Sequence, residues 1–113
     1  MIKESQIKLF ITLDEKKMPV KIEWEADDTG FTGRKESQTV MLSLWDKNEK
    51  LTYSIDLWTK EMTVEDMQIH FHQMFLKMAD TFQWAAQNSA AAEIIRKFSS
   101  DFAKQVGLKT FNL

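Results

Sequence analysis

Along residues 7–13 the apolar side chains Ile7, Leu9, Ile11 and Leu13 fall on every second position, with Lys8 and Thr12 between them. This is the two-residue period of a half-buried strand. Phe10 alone breaks its polar face. A charged turn, Asp14-Glu15-Lys16-Lys17, leads to Val20, Ile22, Trp24 and Ala26 alternating with Lys21, Glu23 and Glu25. The only proline, Pro19, precedes this second run, where its missing N–H costs no central ladder bond. Residues 27–37 hold Gly30 and Gly33 among acids, threonines and serine, and read as a loop longer than a hairpin needs. Thr-Val-Met-Leu-Ser-Leu-Trp at 39–45 is nearly continuous in apolar residues and predicts a strand covered on both faces. After a tight connection at Asp46-Lys47-Asn48-Glu49, Leu51, Tyr53, Ile55 and Leu57 alternate with Thr52, Ser54 and Asp56. The pattern predicts four antiparallel strands in one sheet.

The period changes at Met62. Thr63 is placed to cap a helix with Asp66 three residues on, close to a capping-box arrangement. Val64, Met67, Phe71, Met74, Phe75, Met78, Phe82 and Ala85 then recur at steps of three and four, one apolar stripe extending to about Gln87. Asn88-Ser89 supplies the next cap. A second helix carries Ile94, Ile95, Phe98, Phe102 and Val106 until Gly107 ends it, and Leu108, Phe111 and Leu113 are expected to fold the tail back. The fold class expected is α+β: a four-stranded antiparallel sheet followed by two C-terminal helices packed on one face, forming a single domain over residues 1–113 with strands within 5–58 and helices within 63–106.

One sheet face and two helical stripes leave a second apolar set unaccounted for. Phe10, Met41, Trp45 and Trp58 occupy the sheet face expected to meet water, and Ile69, Leu76 and Trp84 lie roughly opposite the main stripe of the first helix, with His72 between Ile69 and Leu76. A cluster of this kind marks an interface, whereas single exposed apolar residues do not. These eight residues are the candidate partner-binding set, and a homo-oligomer is expected.

Composition narrows the chemistry. A chain of 113 residues with 43 % hydrophobic and 28 % charged residues is long enough for one core, burying about two thirds of its extended surface. Zero cysteines remove disulfides, thiolate metal sites and cysteine nucleophiles. The net charge of -2, from 15 basic and 17 acidic residues spread evenly, offers no footprint for nucleic acid. Residues 1–8 contain Glu4 and no apolar run, so no signal peptide is expected, and no stretch approaches the length of a transmembrane helix. A soluble, cytoplasmic protein is expected.

No motif assigns a catalytic residue, a cofactor or a metal. His70 and His72, the only histidines, stand about 200° apart on a helix and cannot chelate one ion together. No serine or cysteine nucleophile motif accompanies them. Gly30-Phe31-Thr32-Gly33-Arg34-Lys35 lacks both the spacing of a phosphate loop and the helical flanks of the RNA clamp it superficially matches. Asp27, Asp28 and Glu36 fit no calcium loop. Seven methionines, four of them at 62, 67, 74 and 78, suit core filling better than an adaptable client groove.

Three segments together resemble the gliding-motility-associated protein GldC family. They are Met41-Leu42-Ser43-Leu44-Trp45-Asp46, then Asp56-Leu57-Trp58-Thr59-Lys60-Glu61-Met62, then Phe71-His72-Gln73-Met74 followed by Met78-Ala79-Asp80-Thr81-Phe82. The resemblance covers nearly the whole chain. It implies a small accessory protein of the gliding machinery or its associated secretion pathway, acting by protein–protein interaction, with no enzymatic activity or cofactor. It transfers no catalytic role to Asp56, Trp58, Thr59, Lys60, His72 or Asp80. The order of four strands and two helices is also similar to the export chaperone SecB, which supplies the alternative of an oligomer that holds client proteins. A small-molecule or enzymatic site using His72 and nearby carboxylates is the weakest alternative.

Overall fold

The structure, a computed structural model, describes residues 2–108. It is α+β, with five strands followed by two helices, β1 Ile7–Leu13, β2 Pro19–Ala26, β3 Lys35–Ser37, β4 Thr39–Trp45, β5 Thr52–Trp58, α1 Val64–Ala86 and α2 Ser89–Gln105. The chain divides into two compact units at the Met62/Thr63 boundary, strands in the first and helices in the second.

The strands form two antiparallel sheets, β1-β2-β3 and β4-β5, which corrects the expectation of a single four-stranded sheet. The physical reason lies in residues 35–38. Lys35, Glu36 and Ser37 pair with Trp24, Glu23 and Ile22 of β2, whereas the chain from Thr39 onward pairs with β5. Gln38 is the one-residue junction, and its carbonyl accepts the backbone N–H of Thr59, one residue past β5, at 2.9 Å. The stretch 27–37 is therefore not a loop throughout. Its last three residues are a strand, with no apolar alternation to announce it.

Ile22 sits in the middle strand of the first sheet, opposite Ile11 on one side and Ser37 on the other, and is fully buried. The connection from β1 to β2 is organised by Asp14, whose Oδ1 accepts the N–H groups of Lys16 and Met18 at 2.8 and 3.0 Å. Its Oδ2 meets Lys60 Nζ at 2.9 Å. Those contacts hold the Asp14 carboxyl below its usual pKa of 3.8, the Met18 N–H most and the Lys60 ammonium next. Asp46 does the same work between β4 and β5, accepting from the N–H groups of Asn48 and Glu49.

The helices begin where the capping pattern places them. Thr63 Oγ1 accepts the N–H of Asp66 at 3.0 Å, and Asn88 Oδ1 accepts that of Ala91 at 3.0 Å, each satisfying an orphan donor of a first turn. α1 stops at Gln87, which takes the left-handed conformation. α2 ends at Gln105 with Val106 as its cap, and Gly107 just beyond is left-handed at φ 72°, where Leu108 N–H reaches Ala103 O and Gly107 N–H reaches Lys104 O. The expected return of the tail through Phe111 and Leu113 lies outside the described residues.

Packing between the helices is antiparallel. Arg96 near the start of α2 donates to Asp80 at 3.0 Å and Gln83 at 2.7 Å near the end of α1, and also binds Glu93. Phe75 meets Phe98 and Phe102 edge-on at centroid separations of 5.0 and 5.1 Å. The residues fully covered are His72 and Ala79 on α1 and Ala92, Ser99 and Ala103 on α2. Small side chains let helical backbones approach, so the larger apolar groups lie beside the buried line rather than on it.

The chain leaves 9484 Å² accessible, about half of the roughly 19,000 Å² expected for an extended chain of 13.3 kDa. The expectation of two thirds buried is thereby corrected. Among the described residues the buried apolar ones are Ile22 and the three alanines Ala79, Ala92 and Ala103, which carry little area each.

Candidate functional site

The ladder between β4 and β5 sorts its side chains onto two faces, because residues directly opposite point the same way and successive residues point opposite ways. On one face stand Thr39, Met41, Ser43 and Trp45 against Trp58, Asp56, Ser54 and Thr52. On the other, the pairs Val40 with Leu57, Leu42 with Ile55 and Leu44 with Tyr53 are apolar throughout apart from the tyrosine hydroxyl. That hydroxyl donates to Glu49 Oε2 at 2.7 Å, a bond that raises the Tyr53 pKa above 10.0. No residue of β4 is buried, so the expectation of a strand covered on both faces is also corrected. Leu44, Tyr53 and Ile55 are about half exposed on the apolar face, and Met41, Trp45 and Trp58 are exposed on the mixed one.

The predicted set is placed as follows. Trp45 and Trp58 share a face with Met41 between them but stand at opposite ends of the ladder, about 20 Å apart at the rise of a strand. Phe10 on β1 is half-buried beneath the Arg34 guanidinium, 3.4 Å from the ring centroid, and Arg34 also binds Glu23. On α1, Ile69 and Leu76 are half-buried, while His72 is fully buried and its Nε2 has no hydrogen-bond partner. Trp84 is exposed beside Asp80, Gln83, Gln87 and Arg96. The structure thus brings Met41, Trp45 and Trp58 onto one face, and sets Ile69, Leu76 and His72 on or near the covered side of α1.

Sequence reasoning missed a second class of exposed residue. The main stripe of α1, expected as core, leaves Val64, Met78 and Phe82 exposed, and α2 leaves Ile94 and Phe98 exposed. The signal that could have found them is the pair of small-residue lines, Ala79 with His72 seven residues before it and Ala92, Ser99 and Ala103. These mark where two helices approach most closely, roughly a quarter turn from the centre of the apolar stripe.

A polar hollow of ≈ 210 Å³ lined by Gln6, Lys8, Glu25, Asp27, Phe31 and Gly33 is smaller than the roughly 300 Å³ at which ligand pockets begin. Among the described residues no group of three or more His, Asp or Glu is placed to hold a metal ion. No helix among them is long and apolar enough to cross a membrane.

Fold and surface together define an α+β protein of antiparallel strands and two C-terminal helices that leaves much of its apolar surface uncovered. Residues 19–108 match the family model described as gliding motility-associated protein GldC-like, and the chain belongs to that family. No curated protein and no solved structure matches it.

Proposed function

We propose that this chain is a non-enzymatic, cytoplasmic accessory protein of bacterial gliding motility, acting by contact with other proteins of the gliding or secretion machinery. The observation that carries the proposal is the state of its tryptophans. Of four in the sequence, Trp45, Trp58 and Trp84 are 64, 58 and 86 % exposed. Tryptophan is among the residues most enriched at the energetic centres of protein interfaces, and a folded protein gains nothing by leaving three in water. The face formed by Met41, Trp45 and Trp58 is the principal docking surface of this reading, with Phe10, Ile69, His72, Leu76 and Trp84 as further members.

The test is genetic and physical together. Gliding cells carrying Trp45→Ser with Trp58→Ser should lose most of their gliding speed while keeping the protein at normal abundance. Wild-type speed with the same double variant contradicts the proposal.

A second reading, an export-chaperone-like protein that holds unfolded clients, is favoured by one specific feature, the apolar pairs on the other face of β4 and β5. Such a surface accepts extended apolar segments without selecting their sequence. Purified protein should then suppress aggregation of a thermally unfolded test protein, and Ile55→Asp should abolish the effect. Absence of suppression at excess protein removes this reading.

A further inference from the structure

β4 and β5 form a ribbon of two seven-residue strands with, among the described residues, no third strand on either side. Two strands are marginal on their own in water, and three or more with an apolar face are needed for independent stability. The hydrogen bonds at the two ends of the ribbon, Thr59 N–H to Gln38 O and Asp46 N–H to Leu51 O, fix which backbone groups face inward. By the alternation of an antiparallel ladder, the inward set on β5 is Tyr53, Ile55 and Leu57, paired with Leu44, Leu42 and Val40. Thr52, Ser54, Asp56 and Trp58 therefore turn their N–H and C=O groups away from β4, and among the described residues no backbone partner reaches them. Exposed edges are ordinarily blunted by proline, lysine or a bulge. β5 has none of these: six of its seven residues are exposed, its register is unbroken and its only charge is Asp56. By contrast the edge strand β1 carries Lys8 and an irregularity at Thr12/Leu13, and β4 is half-buried at Thr39, Val40 and Leu42.

We infer that the outer edge of β5 pairs antiparallel with the same edge of a second copy of this chain, about a two-fold axis at Ile55. A row of unpaired backbone groups at strand spacing fits only another extended strand, and the sequence of β5 selects its own copy. Centred on Ile55, all seven residues find a counterpart and none overhangs. Ser54 meets Asp56 and Thr52 meets Trp58 as hydrogen-bonded pairs, while Tyr53 meets Leu57 and Ile55 meets itself between them. The lone carboxylate thus faces a hydroxyl donor, whereas an axis one residue further on would set Asp56 against its own kind. The tryptophans fit the same register. Within one chain Trp45 lies across from Thr52, and Trp58 of the second copy takes the place on the other side of that threonine, a small residue between two large ones. Two incomplete ribbons become one four-stranded sheet with a continuous apolar face, closed by the two-fold symmetry. The second copy lies beside β5 and not over it, so the tryptophan face stays open, and the inference does not rest on the gliding proposal.

Sedimentation equilibrium on the full chain tests this. Wild type should form a dimer or an even-numbered assembly built from it. Ser54→Pro removes an N–H that faces away from β4, so it costs the ribbon no ladder bond but strips the shared edge in both copies. It should raise the dissociation constant about 100-fold. Ser43→Pro removes an outward N–H of β4 in the same way and should leave the constant within about 3-fold. If Ser54→Pro fails to fold, as judged by circular dichroism, the absence of cysteine offers a second route. Ile55→Cys sets two thiols opposite each other in a non-hydrogen-bonded pair, with Cα atoms about 4.5 Å apart and within disulfide range, and should give a linked dimer on mild oxidation. Tyr53→Cys, about 14 Å from its own counterpart in this register, should not. A single chain at every concentration, an assembly that Ser54→Pro leaves intact or Ser43→Pro disrupts equally, or no linked dimer from Ile55→Cys overturns the inference. None of these results decides the gliding test of Trp45 and Trp58.

Discussion

The three-stranded sheet and the helical pair differ in what stands at their buried centres, though both leave large apolar residues exposed. In β1-β2-β3 the alternation sets which residues share a face and the buried centre is a large aliphatic residue, Ile22, although Ile7, Leu9, Leu13 and Val20 stay exposed. In the helical pair the residues at the centre are Ala79, Ala92, Ser99, Ala103 and His72, while methionines and phenylalanines of the apolar stripe stand beside them, several still exposed. A strand has two faces, so period two identifies the inner one. A helix presents a continuous surface, and its point of closest approach follows side-chain size as much as hydrophobicity. Where the two diverge, apolar area is left exposed.

Several substitutions break or sharpen that contrast. Ile22→Ala should destabilise most, by about 2–5 kcal/mol in urea denaturation, because it opens a cavity in a strand flanked on both sides. Ala79→Leu should cost about 1–3 kcal/mol by forcing the helices apart, whereas the same added volume on the open apolar side should cost little. If Ala79→Leu is tolerated, the small-residue line does not set the approach. Removing a cap, Thr63→Ala or Asn88→Ala, should cost about 1 kcal/mol each, read as a fall in thermal midpoint. The smallest effect is one of pH. Asp14 titrates lower folded than unfolded, so its contribution is complete above its unfolded pKa and lost as pH falls through the folded value. Wild type should therefore lose stability below about pH 4 more steeply than Asp14→Asn does.

Much of the fold is legible in the sequence. β1, β2, β4 and β5 follow their alternation to within a residue or so, and Thr63, Asn88 and Gly107 mark their helix ends. β3 was hidden because Lys35-Glu36-Ser37 has no apolar residue, and its strand character comes wholly from pairing with β2. The division into two sheets turns on a single junction residue, Gln38, which composition does not distinguish. The exposed tryptophans were legible as surplus. The exposure of Tyr53, Ile55, Met78 and Phe98 was not, since a residue on a regular apolar face reads as core until something is found to cover it.

Methionine oxidation, followed residue by residue with dilute peroxide and mass spectrometry, tests the central claim most directly. In the single chain Met78 is 57 % exposed and Met18 is 48 % exposed, so on accessibility alone Met78 should react at least as fast. If the apolar stripe of α1 stands exposed beside the small-residue line, Met78 will oxidise at least as fast as Met18 in native protein and faster than the half-buried Met67 and Met74. Markedly slower oxidation of Met78 than of Met18 in the native protein contradicts the account.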